Sequence, residues 1–186
     1  MSSSTIEIIL GCMFSGKSTE LIRRISRFQS INKPVLCINH SIDTRWKELP
    51  NNTIKTHEGR TIPAIKTDTL MAITTTDIYK QSEVIGIDEA QFFNDLYQFV
   101  LYTEKNNKTL IICGLDGDYQ RKPIGQILQC IPLADSIIKL KALDMVDKDG
   151  SSAIFTKRKG TVKTEDQILV GGKDEYLAVS RKNYLK

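Results

Sequence analysis

The stretch Ile6-Glu7-Ile8-Ile9-Leu10-Gly11-Cys12-Met13-Phe14-Ser15-Gly16-Lys17-Ser18 decides the fold. Residues 6–10 form an apolar run dense in β-branched side chains that meets a glycine at once, the pattern of a buried strand ending in a turn. Residues 11–18 then fit GxxxxGK[ST] in full. Such a loop turns its backbone N–H groups inward around a phosphate, its lysine adds a mobile positive charge, and its serine hydroxyl ligates Mg2+. Downstream, Leu21, Ile22, Ile25 and Phe28 recur at helical spacing with Arg23, Arg24 and Arg27 on the other face, so residues 17–30 read as an amphipathic helix. The positive end of that helix dipole points at the same anions. Strand, loop and helix in this order are the context the motif demands, and the reading is nucleotide binding.

Working outward, Pro34 opens a second strand over residues 35–39. Residues 41–67 are polar and poorly periodic, a loop region with a short strand at 61–65. A helix is predicted over 69–79 with Asp68 as its N-cap. Val84–Ile87 is a third buried strand, and Phe92, Phe93, Leu96 and Val100 mark a helix ending near 106–107. Thr109–Leu115 is a fourth strand, 124–130 a short helix stopped by Pro132, and Ser136–Leu140 a fifth strand. Strands alternating with helices predict an α/β fold with a mostly parallel sheet covered on both faces. From about Leu143 the character changes: a charged Gly/Ser turn at 147–152 separates short apolar pieces at 153–155, 168–170 and 176–179. The expected division is a nucleotide-binding domain, 1–142, and a small β-rich domain, 143–186.

With 186 residues, 40% hydrophobic and 26% charged, the chain supports an ordinary globular core without disulfides or metal. A net charge of +4 suits an anionic ligand, but Lys and Arg are spread along the chain rather than clustered, so no nucleic-acid partner is expected. Cys12, Cys37, Cys113 and Cys130 form no CxxC pair and read as reduced, mostly buried thiols. Cys12, inside the phosphate loop, is expected to be partly exposed. No secretory signal and no membrane-length apolar run are read, which predicts a soluble cytoplasmic protein. His40 and His57 read as ordinary loop histidines, and Trp46 as surface or interface packing.

The third strand ends in Asp88-Glu89. An aspartate placed there in phosphate-loop proteins holds Mg2+. The neighbouring Glu89 can accept the proton of an attacking hydroxyl. With water as nucleophile the result is an ATPase, with an alcohol a kinase, and these residues alone leave both open.

Six blocks in order separate the two. Residues 11–21, Asp43-Thr44-Arg45, Asp88-Glu89-Ala90-Gln91-Phe92-Phe93, residues 115–123 (LDGDYQRKP), Thr156-Lys157-Arg158 and Gly171-Gly172 together resemble the type II thymidine kinases, the cytosolic and poxvirus-like family, over nearly the whole chain. The resemblance implies a RecA-like phosphate-loop core and a small ribbon domain whose lasso covers a nucleoside. It implies transfer of the ATP γ-phosphate to thymidine, and to deoxyuridine, with Mg2+, in nucleotide salvage. A homotetramer and dTTP as feedback inhibitor come with it, and no membrane partner does.

Residue by residue, the resemblance makes Glu89 the catalytic base. It assigns ATP to Gly11, Cys12, Met13, Phe14, Ser15, Gly16, Lys17, Ser18 and Thr19, with Asp43, Thr44, Arg45, Asp88 and Gln91, and Mg2+ to Ser18 and Asp88. The nucleoside falls to Met13, Phe92, Leu115, Tyr119 and Ile124, then Thr156 and Arg158 at the start of the lasso. Gln167 and Ile168 are assigned to the nucleoside as well, Leu169, Val170 and Gly171 match the returning strand of the lasso, and Tyr176 the tyrosine that reaches the deoxyribose. Arg121 is read either as a stabiliser of phosphoryl charge or as a structural ion pair.

One departure changes the chemistry. The family usually carries two CxxC pairs that hold structural zinc in the small domain. Here those positions are Asp144 with Asp147 and Ser180 with Asn183. With neither thiolate nor imidazole, no structural zinc is expected, and two carboxylates are few for calcium. Packing and hydrogen bonds are expected to hold the small domain.

Overall fold

The computed structural model describes residues 4–43, 53–55, 59–160 and 166–186. Its larger part runs β1 (Thr5–Gly11), α1 (Lys17–Gln29), β2 (Val35–His40), β3 (Thr53–Lys55), β4 (Thr61–Pro63), β5 (Ile65–Thr67), α2 (Asp77–Gln81), β6 (Val84–Ile87), α3 (Leu96–Lys105), β7 (Thr109–Leu115) and β8 (Ser136–Leu140). A six-stranded sheet has the order β5-β2-β6-β7-β1-β8, and all its pairings are parallel.

Alternation along the strands divides the core between the two faces of the sheet. Ile8 and Leu10 of β1, Leu36 and Ile38 of β2, Ile85 and Ile87 of β6, and Leu110 and Ile112 of β7 join Phe93, Leu96, Phe99 and Val100 on one side. Ile9, Cys37, Val84, Ile111 and Cys113 face the other side, where Leu21, Ile22 and Ile25 of α1 cover them. Because both faces are buried, these strands show continuous apolar runs instead of a polar alternation.

The register aligns the strand ends. Gly11 lies opposite Leu115 and Leu140, and Ile87 lies opposite both Ile38 and Ile112. The segments that leave β1, β2, β6 and β7 therefore emerge together at the carboxyl edge of the sheet, the usual ligand edge of an open α/β sheet.

Three local expectations need correction. The 69–79 helix is instead a 3₁₀ segment, Met71–Thr75, followed by α2. The cap of α2 is Thr76, whose side chain accepts from the Tyr79 N–H, while Asp68 accepts from the Ser41 hydroxyl. The aromatic pair Phe92 and Phe93 lies ahead of the helix rather than in it: Ala90–Phe92 is a 3₁₀ turn and α3 starts at Leu96. Residues 124–130 do not make an α-helix stopped by Pro132; Ile127–Leu133 is a 3₁₀ helix with that proline inside it. Short apolar runs fit either helix type, because neighbours three apart share a face in both. The weak strand expected at 61–65 resolves into β4, paired with β3, and β5, an edge strand of the main sheet.

From Ala142 the chain makes antiparallel ribbons. β9 (Ala142–Leu143) pairs with β10 (Ser152–Ala153), and β11 (Phe155–Arg158) pairs with β12 (Tyr176–Val179), before the short α4 (Arg181–Leu185). The expected apolar strand at 168–170 is not regular strand. Ala142, Ala153 and Ala178 make a small core with Cys12. Cys12 is therefore not partly exposed as expected: its accessibility is 1%, and its thiol donates to the Ala153 carbonyl at 3.5 Å. Burial pushes that thiol up. The phosphate loop is in this way stapled to the ribbons.

Candidate active site

β1 delivers the loop and α1 carries its far end. Gly16 sits at φ 83°, where a side chain would be strained, and it turns the chain into the helix. Lys17 is buried, and its ammonium donates to the Cys12 carbonyl at 2.8 Å; the Ser15 hydroxyl donates to the same oxygen at 2.8 Å. The loop thus holds its own shape through one carbonyl.

At the end of β6, Asp88 is almost fully buried. Its Oδ1 accepts from the Ser18 hydroxyl at 3.1 Å, the Cys113 thiol at 2.8 Å and the Glu89 N–H at 3.0 Å. Ser18 and Asp88, assigned together from sequence, are thus in direct contact. Hydroxyl and carboxylate oxygens are the hard donors that Mg2+ takes, so the pair fits that ion. Cys113 was read only as a buried thiol. Burial and the adjoining Asp88 raise its pKa well above the usual value, which keeps it a neutral donor to the carboxylate.

Glu89 follows in the left-handed region at φ 52°, an uncommon conformation for a side-chain-bearing residue. Gln91 bonds its carboxylate at 2.7 Å. Asp43, beyond β2, is buried; Asn39 Nδ2 donates to its carboxylate at 3.0 Å, and Lys66 to its carbonyl at 2.8 Å. Thr44 and Arg45, the other residues of that block, lie outside the described residues, as do His57 and Trp46.

One cleft joins these groups to the ribbons. Its walls include Met13, Phe14, Gly16, Lys17, Ser18 and Thr19 from the loop and α1, together with Asp43 and Glu89. Phe92, Leu115, Tyr119, Ile124, Thr156, Gln167, Ile168, Leu169, Val170, Gly171 and Tyr176 complete the apolar end. Gly117 and Asp118 also line it; the motif contained them, but no role had been read for either. Gly11, Cys12, Ser15, Asp88, Gln91 and Arg158 stand outside this lining.

The apolar end is built by contacts far apart in sequence. The Thr156 hydroxyl accepts from the Met13 N–H at 3.0 Å, tying β11 to the phosphate loop. The Arg158 guanidinium lies 3.8 Å from the centre of the Tyr119 ring and donates to the Tyr176 hydroxyl at 3.1 Å. That hydroxyl donates in turn to the Leu169 carbonyl at 2.9 Å. Gln167 donates to Asp118 at 2.9 Å and to the Pro123 carbonyl at 3.1 Å, so its amide anchors the returning segment on the 115–123 loop. Arg121, read as a phosphoryl stabiliser or an ion-pair partner, stacks over Tyr184 at 4.4 Å. Tyr184 itself donates to the Tyr119 carbonyl at 2.8 Å.

Behind the ribbons, the four positions that departed from the cysteine pattern meet around one carboxylate. Asp144 accepts from the N–H groups of Val146 at 2.8 Å, Asp147 at 2.9 Å and Ser180 at 2.5 Å. Asn183 Nδ2 contacts both of its oxygens at 3.1 Å. Ser180 caps α4 by accepting from the Asn183 N–H at 3.3 Å, and Lys182 pairs with Asp147 at 3.0 Å. This donor set offers zinc no sulfur and no imidazole, and its carboxylate is already engaged by N–H donors, so the residues do not fit that metal. Burial opposes the Asp144 charge, but the side-chain and backbone donors around it outweigh burial and hold its pKa below the ordinary carboxylate range.

Comparison with known proteins agrees with the blocks from which the resemblance was drawn. The thymidine kinase family model matches residues 4–184. A thymidine kinase of Yaba monkey tumor virus (strain VR587) is 43% identical over 185 residues, covering 99% of this chain and 96% of its own. Thymidine kinase a of Arabidopsis thaliana is 42% identical, covering 98% and 76% respectively. The cytosolic thymidine kinase of Homo sapiens is 42% identical, covering 97% and 73%. The chain belongs to the thymidine kinase family.

Proposed function

We propose, from that membership, that this enzyme transfers the γ-phosphate of ATP to the 5′-hydroxyl of thymidine, and also of deoxyuridine, yielding dTMP or dUMP and ADP in nucleotide salvage. The observation that carries the reading is that Glu89 shares one cleft with both Lys17 and Ser18 at the phosphate loop and Leu115 and Tyr119 at the apolar end. A base so placed can serve both a phosphate and a hydroxyl held against it.

In this reading the 5′-oxygen attacks the γ-phosphorus as its proton passes to the Glu89 carboxylate. The bond from that phosphorus to the β,γ-bridging oxygen breaks, and ADP carries away the electron pair. Lys17 and the loop amides neutralise phosphate charge. Ser18 and Asp88 would hold Mg2+, which when bound offsets charge on the phosphate oxygens. The remaining loop residues and Asp43, Thr44 and Arg45 serve ATP. Thr156, Arg158 and the returning segment 167–171 close over the nucleoside, with Tyr176 beside them. The domain division is 1–142 and 143–186, with the small domain held without zinc by the Asp144 bonds. Cytoplasmic location, a homotetramer and inhibition by dTTP are part of the same proposal.

The test is ADP formation from ATP with thymidine, deoxyuridine, deoxycytidine, DNA or nothing added. Thymidine and deoxyuridine should stimulate it, whereas stimulation by DNA or equal rates without acceptor would reject the kinase. Glu89→Gln should lower kcat about 100-fold or more with ATP affinity retained. Sedimentation velocity checks the tetramer, and stoichiometric zinc in chelator-washed protein would overturn the metal-free small domain.

A further inference from the structure

Gln91 has an unusual position: it is 2% exposed, behind the cleft wall, yet it joins two groups that line the cleft. Its Nε2 donates to Glu89 Oε2 at 2.7 Å, and its Oε1 accepts the Leu115 N–H at 3.0 Å. The amide orientation follows from chemistry, because an N–H needs the oxygen and a carboxylate needs the nitrogen. One planar amide therefore fixes the carboxylate of the proposed base relative to the backbone at the end of β7.

The surroundings are shaped to admit this side chain. A Cβ on Gly114 would lie 2.6 Å from Gln91 Oε1, and a Cβ on Gly125, at φ 61°, would lie 2.0 Å from the Gln91 carbonyl oxygen. Two glycines from separate segments thus clear the volume that the Gln91 residue fills. Glu89 sits on left-handed backbone, at the start of a 3₁₀ turn that contains Gln91. A carboxylate on so short a turn is placed by what grips it, and the Gln91 amide is one such grip.

We infer that Gln91 is a positioning residue for the reaction: it holds the Glu89 carboxylate in line with the acceptor pocket through Leu115. The inference rests on the reading of Glu89 as the base. A misplacement of the order of 1 Å in a reacting group costs about 100-fold in rate, so loss of this bridge acts on turnover. Although the resemblance assigns Gln91 to ATP, this residue stands outside the cleft lining and bridges Glu89 and Leu115, so its loss should leave the loop that holds ATP unchanged.

The experiment is a double-mutant cycle on the full-length enzyme, with kcat, both KM values, the Kd of a non-hydrolysable ATP analogue and the melting temperature measured for each protein. Gln91→Met keeps length and volume but neither donates nor accepts. It should lower kcat about 10- to 100-fold with the ATP-analogue Kd unchanged. Placed on Glu89→Gln, it should change kcat by less than about twofold, because residues that act as a unit are not additive. Gln91→Asn keeps the amide but is too short to span both partners, and serves should the Met variant not fold. It should give about a tenfold loss that likewise vanishes on Glu89→Gln. The inference is overturned by an unchanged kcat, by equal losses in both backgrounds, or by a rise in KM alone, any of which leaves the Glu89 reading standing. An unaffected Glu89→Gln single variant rejects the base itself.

Discussion

Asp88 and Asp144 are both buried aspartates, 3% and 2% exposed, and each gathers several donors, yet the donors differ in kind. Asp88 ends a strand of the parallel sheet, and its contacts include a hydroxyl from α1 and a thiol from β7. A serine hydroxyl can turn from a carboxylate to a cation with little rearrangement. Asp144 is gripped by three backbone N–H groups and an amide that itself belongs to α4. Those donors cannot leave without moving the chain. Asp88 is thus held partly by side chains that can turn away, and Asp144 mostly by backbone that cannot. Substitution should separate the two, with activity falling at Asp88 and stability at Asp144.

The largest effect is expected from Asp88→Asn. If Asp88 helps to hold Mg2+ as proposed, the variant should lose several kcal/mol of charge stabilisation and its kcat should fall about 1000-fold. Thermal denaturation should scarcely change, since the carboxamide still accepts from Ser18 and Cys113. A melting temperature depressed as far as that of an Asp144 variant would break the contrast.

Asp144→Ala should lower unfolding stability by about 3 kcal/mol, because it strands several buried donors at once. Denaturant titration measures this. The thymidine KM should rise severalfold while the ATP KM holds, since β12 and α4 support the ribbons and not α1.

The pH dependence sharpens the comparison. With its folded-state pKa depressed from the ordinary 3.8, Asp144 contributes stability that is fully present above that value. The contribution is lost as pH falls below 3.8 towards the folded value. Wild type should therefore lead Asp144→Asn in stability at pH 7, and the gap should narrow as melts are taken from pH 5 to pH 3. A gap that stays constant over that range would detach the effect from the Asp144 charge.

The smallest effect belongs to Asn183→Ala, which removes one donor and leaves the three backbone donors in place. A loss of about 1 kcal/mol is expected in chemical denaturation. A loss as large as that of Asp144→Ala would shift the centre of the network to Asn183.

Some of this was legible in short windows of sequence. Residues 6–18 determined strand, loop and helix, because chain connectivity alone puts the glycines, Lys17 and Ser18 around one point. The apolar run of β6 likewise carried Asp88 and Glu89 to the sheet edge, and the blocks at 115–123 and 156–158 contain Leu115, Tyr119 and Thr156, which line the cleft. Helix type was less legible at 69–79 and 124–130, where short apolar runs suit 3₁₀ and α geometry equally.

Tertiary structure decided the rest, for a physical reason. A hydrogen bond needs atoms about 3 Å apart, and no periodicity records which distant segments meet at that range. Only the parallel order of β6 beside β7 brings Cys113 to Asp88 and Leu115 to Gln91. Only the ribbon fold buries Cys12 under Ala153, 141 residues away, and collects around Asp144 donors 36 and 39 residues distant. The sequence itself shows only Asp144, Asp147, Ser180 and Asn183 at the positions where the resemblance led us to expect cysteines. Folding determined that one carboxylate, Asp144, gathers the segments that carry all four.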